Sequence, residues 1–173
     1  MASPISAILL AIQTAVAAWA ADTTPVKGDA VVIAGDALEG YQKLSDTPRG
    51  YRIVLWYAGD KPVSGKNDAF VNAILSVGIA IAKGLTQDPR SELVQATATR
   101  PPALDIIEGV TALMRGLHVG GQPASENDTC WLLRYAGGSE WLKYEVPASH
   151  YVHQLNFTLP RQLPARNPRA VVL

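Results

Sequence analysis

His150 and His153 are the pair in this chain whose type and spacing most invite chemistry. On a helix, residues three apart share a face and could hold a metal ion. Here Tyr151, His153, Leu155 and Phe157 alternate with Val152, Gln154, Asn156 and Thr158, which is the period of a strand. In a strand, residues three apart point to opposite faces, and no third ligand is near in sequence. Surface or interface histidines are the better reading, and no metal site is expected. Gly59–Asn67, GDKPVSGKN, is similar to a phosphate-binding loop but departs from it three times. Its glycines are one residue too far apart, Asn67 replaces the Ser or Thr that would touch magnesium, and a strand follows where a helix should. It reads as a hairpin tip. Gly35-Asp36 lacks the glycine pattern of a dinucleotide site. Cys130, the single cysteine, has no base placed to activate it and reads as a small thiol in a strand. The sequons at Asn127 and Asn156 are discounted for want of a secretory signal, and no nucleophile elbow is present. No catalytic residue, cofactor or enzymatic activity is expected.

The elements that carry these residues belong to one domain. At 173 residues, 48% hydrophobic and 17% charged, the chain can fill a core and is not globally disordered. Fifteen basic residues balance fifteen acidic ones, which argues against a uniformly basic nucleic-acid binder. One cysteine allows no internal disulfide.

Residues 1–20, MASPISAILLAIQTAVAAWA, have two readings. Ala18-Trp19-Ala20 resembles a signal-peptidase site, but no Lys or Arg precedes the apolar run, and Gln13 and Thr14 interrupt it. Ile5, Ile8, Leu9, Ile12, Val16 and Trp19 instead recur at three- and four-residue steps, and Ser3-Pro4 suits a helix start. A retained amphipathic helix is the favoured reading. No uninterrupted apolar run reaches the ~18 residues that span a bilayer, so no membrane association is expected.

Ala30–Ala34 reads as a short strand, and Gly35–Arg49 as a loop with room for one helical turn. The long hairpin follows, over Gly50–Gly84. Its first arm, Tyr51–Tyr57, is apolar on both faces and therefore central. Its second arm alternates strictly from Val71 to Ile81, with small residues on one side that would let a helix or a neighbouring subunit approach. Leu85–Pro102 is a long connection, extended around Leu93–Thr99. Ala103–Leu117 is a helix, with Leu104, Ile107, Val110, Leu113 or Met114, and Leu117 as its stripe. Prolines stand at its start, and Asp105 and Glu108 near its positive end. A second hairpin is expected from Cys130–Tyr135 and Trp141–Val146, turning at Gly137-Gly138. A last strand runs from Tyr151 to Leu159, where Pro160 ends it. These make an α+β fold: a mainly antiparallel sheet with a long central hairpin, packed against two helices, one N-terminal and one at about 103–117. The domain spans 1–159, and 160–173 is an extended basic C-terminal arm that is either a frayed terminus or a strap along an adjacent subunit. The residues expected at an interface are Asp60, Lys61, Lys66 and Asn67 at the hairpin tip, with Arg161, Arg166 and Arg169 on the arm.

The order of elements resembles that of the tail-terminator, or tail-completion, proteins of long-tailed bacteriophages. The similar pieces are SPISAILLAIQTAVAAWA, RIVLWYAGD, FVNAILSVGIAIAKGL, PALDIIEGVTALMRGL and LLRYAGGSEWLKYEVPASHYVHQLNFTLPRQLP, which reach to about Pro164. The resemblance implies a virion structural protein at the head-proximal end of the tail, assembled in the host cytoplasm. It implies a hexameric ring that caps the tail tube, stops its polymerisation and meets the head connector or neck, without sequence-specific nucleic-acid binding. Another ring-forming tail or neck component, a tube or head-closure protein, is the alternative. A small secreted ligand-binding domain is a third reading, and requires cleavage of residues 1–20.

Overall fold

Apolar residues at helical spacing place α1 over Pro4–Thr23. Its inner stripe is Ile5, Ile8, Leu9, Ile12, Val16 and Ala20, all buried. The computed structural model describes residues 4–23, 28–34, 51–63, 70–82, 94, 102–117, 133–140 and 150–162. Within it β1 spans Gly28–Ala34, β2 Tyr51–Pro62, β3 Phe70–Ala82, α2 Ala103–Gly116, β4 Arg134–Glu140 and β5 His150–Gln162. Among the described residues the architecture is α+β, with a mainly antiparallel sheet, a long central hairpin and two helices.

The five strands lie in the order β1-β2-β3-β5-β4. β1 runs parallel to β2, and the other three pairings are antiparallel. β3 is flanked along its length by β2 and β5, which explains why both of its faces are apolar or small. One face, the helix side, carries Ile53, Leu55, Leu75, Val77, Ile79, Leu155 and Phe157. These form one core with α1 and with Ile106, Ile107, Val110 and Met114 of α2. Burying each such side chain is worth about 1.5–3 kcal/mol, so this layer is the main source of cohesion. On the far face Val54, Trp56, Ser76, Ala80 and Val152 are also buried, outside that core.

Four expectations are corrected. β2 does not end near Tyr57. It continues through Gly59, Asp60 and Lys61 to Pro62, which pairs with Val71. A bulge between Tyr57 and Gly59, with Gly59 at φ 112°, absorbs the glycine without ending the ladder. Gly137-Gly138 is not a hairpin turn either. Both residues lie inside β4, which pairs with β5 across a second bulge at Gly137, φ 118°. Pro160 does not end β5, because Arg161 and Gln162 continue the ladder against Val71 and Phe70. The expected boundary at 159/160 therefore falls inside a strand. In α2, Leu104 is 39% exposed, and Ile106 takes its place in the core.

Smaller differences follow the same ladders. β1 begins at Gly28 rather than Ala30, and Val94 is helical where an extended segment was expected. The window Ile5–Asp22, with mean hydropathy 1.6, is long and apolar enough to cross a membrane. The count of uninterrupted apolar residues missed this because the Ile, Leu, Val and Ala of the window outweigh Gln13 and Thr14 in the average. One stripe of that helix is in the core. Cys130, Trp131, Trp141–Val146, the Gly35–Arg49 loop and Ser3 lie outside the described residues.

Candidate functional site

Among the described residues the three central strands outrun the two edge strands at one end of the sheet. β1 pairs with β2 as far as Trp56, and β4 pairs with β5 from His153 only as far as Thr158. Beyond those points Tyr57–Pro62, Phe70–Leu75 and Leu159–Gln162 continue as a three-stranded ribbon. From Ser76 to Phe70 it advances roughly 20 Å at the rise of a strand. Its inner side is dry, since Val71, Ala73 and Leu159 are buried. Along β2 the outer residues Ala58, Asp60, Lys61 and Pro62 are exposed.

Register brings together two groups that are a hundred residues apart in sequence. Lys61 pairs with Asn72, which pairs with Pro160. Pro62 pairs with Val71, which pairs with Arg161. Asp60, Lys61 and Arg161 therefore occupy adjoining rows at the ribbon's end. Lys66, Asn67, Arg166 and Arg169 lie outside the described residues. His150 and His153 pair with Ala82 and Ile79, three rows apart and on opposite faces by register. Among the described residues no three His, Cys, Asp or Glu side chains come together to hold a metal ion.

The far face has a polar strip that the sequence reading did not single out as a site. Thr158, Asn156 and Gln154 of β5 are half-buried there, beside Ile74, Ser76 and Gly78 of β3. The Ser76 hydroxyl, 1% exposed, donates to Asn156 Oδ1 at 2.8 Å. Gln154 Nε2 donates to the same Oδ1 at 2.9 Å and to Ser76 Oγ at 3.3 Å. A buried hydroxyl opposite Trp56 needs such partners, and the two amides supply them. Arg134, exposed on β4, stands opposite Thr158, and Lys61 lies one far-face row along from Ile74. Among the described residues the one acidic position on this face is Asp29, at the other end, opposite Arg52. The signal was present in the alternation of Gln154, Asn156 and Thr158. The positions of Lys61 and Arg134 relative to it depend on the two bulges.

One glycine of β4 marks a close approach beside this strip. A β-carbon at Gly138 would stand 2.8 Å from Leu155 Cδ2 and 2.9 Å from the Tyr135 hydroxyl. Tyr135 thus folds over Gly138 and stacks obliquely on Phe157, with centroids 5.6 Å apart. An aromatic ring covering a strand glycine compensates for the side chain that the glycine lacks. No family model matches the chain, and no curated protein matches it.

Proposed function

We propose that this protein is a structural component of a bacteriophage tail, a terminator whose copies form a ring on the head-proximal end of the tail tube. The observation that carries the reading is the three-stranded ribbon of β2, β3 and β5, which among the described residues runs past both edge strands on a buried apolar underside. A subunit of a closed ring must present two different patches to its neighbours and a third surface to what it caps. A stiff ribbon with charged Asp60 and Lys61 on its outer strand is suited to reaching beyond its own domain. Its backbone is held by the sheet, so little conformational freedom is lost when it docks. The role is structural rather than catalytic. The partners are other copies of the chain, the tail tube and the head connector.

The reading that residues 1–20 are a cleaved signal is disfavoured by α1, whose inner stripe lies in the core. Negative-stain microscopy with native mass measurement of the purified protein tests the proposal. Closed single rings of about six copies are expected for a cyclic assembly. Long stacked tubes would assign a tube protein instead. A protein that stays monomeric both alone and with isolated tails would overturn the ring reading.

A further inference from the structure

Among the described residues the two sides of the sheet differ in charge. On the far face Lys61 and Arg134 are exposed, in neighbouring far-face rows and three strands apart, roughly 16 Å between backbones. Ile74 and Pro160, both half-buried, lie between them. On the opposite side of the molecule α2 covers the helix side of the sheet and exposes Leu104, Asp105 and Glu108 within its first two turns. Residues three and four apart on a helix are neighbours, so these form one compact patch of two carboxylates beside an apolar side chain. One surface is cationic around an apolar centre, and the other is anionic around an apolar tip.

We propose that the far face of one copy docks on the α2 patch of a second copy. Lys61 and Arg134 meet Glu108 and Asp105, and Leu104 lies against Ile74 and Pro160. The proposal rests on the ring reading and names the contact that closes the ring. Two complementary patches on different sides of one subunit give a heterologous, head-to-tail contact, which closes into a ring where the rotation between copies divides a full turn. Among the described residues each patch carries charge of one sign, so that neither favours contact with its own copy. Arg115 is at the other end of α2, roughly 15 Å from Asp105, and does not neutralise the patch.

The test is sedimentation velocity with native mass measurement on the full chain. The wild-type protein should self-associate, and less so as ionic strength rises from about 0.05 M to about 0.5 M, because rim charges are screened. Lys61→Glu with Arg134→Glu should weaken association by more than about tenfold. Glu108→Lys with Asp105→Asn should do the same, the asparagine being chosen because a lysine would oppose the helix dipole. Combining all four substitutions should restore association to within about threefold of wild type. Lys61→Gln and Arg134→Gln supply milder variants if a reversal disturbs folding. Reversals that leave association unchanged, or a combined variant as weak as either parent, would overturn this contact while leaving a ring in place. A wild-type protein that never self-associates, with or without tails, would overturn both readings. If it associates only on tails, the same variants are compared there for tail binding.

Discussion

Trp19 and Gly109 hold α1 against α2: the indole lies so close to the glycine that a β-carbon there would stand 2.5 Å from Cζ2. Glycine inside a helix costs about 0.5–1 kcal/mol relative to alanine, so its presence in mid-α2 calls for such a reason. The two helices cover the same face of the sheet, and this contact is where they meet. Gly109→Ala is expected to destabilise by about 1 kcal/mol, the clash outweighing the gain in helix propensity. Trp19→Leu vacates the space, so the double variant should lose less than the sum of the singles. Chemical denaturation of the four proteins measures the coupling. Additive losses would show that the contact is not as close as the geometry requires.

The two neighbouring glycines of β4 should respond differently to alanine. Gly137 has open space around it but a φ of 118°, so Gly137→Ala acts through the backbone, at about 1–3 kcal/mol. Gly138→Ala acts through Leu155, the Tyr135 hydroxyl and the Gln154 carbonyl. Tyr135→Phe removes one of those obstacles and should return part of the lost stability in the Gly138 variant and none in the Gly137 variant. Thermal or denaturant unfolding of the two pairs distinguishes these cases.

Ser76 is nearly inaccessible and ties two amides together. Ser76→Ala should cost about 1–2 kcal/mol, since it removes a donor and an acceptor at once. Because Ser76 and Asn156 share a hydrogen bond, Ser76→Ala with Asn156→Ala should cost less than the two separately. A double-mutant cycle with no coupling would contradict the 2.8 Å geometry.

Removal of residues 1–22 takes out the α1 stripe and bares the helix side of the sheet. The buried side chains lost are together worth about as much as the whole stability of a small domain, about 5–15 kcal/mol. The truncated chain should aggregate or lose cooperative unfolding. A soluble, cooperatively folding truncation would revive the cleaved-signal reading.

Truncation at the other end should distinguish sheet from arm. Deletion of 163–173 leaves every β5 pairing intact and should leave the unfolding midpoint unchanged, whereas deletion from Arg161 also removes the pairings to Val71 and Phe70. Weaker ring or partner binding by the shorter deletion, at unchanged stability, would identify the basic tail as a contact. Unchanged binding would make it a dispensable terminus.

Which segments are helical or extended can be read from the residues alone wherever a period of 3.6 or 2 runs uninterrupted. The stripe of α1, the alternation from Val71 to Ile81 and the stripe of α2 are local patterns, set by which side chains can share a face. Of the residues proposed for an interface, Asp60 and Lys61 were recognisable as the charged positions of a hairpin. Where strands stop and which residues share a surface depend on long-range pairing. Gly59, Gly137-Gly138 and Pro160 are local breakers, yet the ladder continues past each, because cross-strand hydrogen bonds and packing outweigh a single residue's preference. Each bulge also shifts the alternation by one residue, so the face on which Lys61 or Arg134 lies follows from its partner and not from its own neighbours in sequence. The meeting of Trp19 with Gly109, ninety residues on, is set in the same way by the sheet that carries both helices.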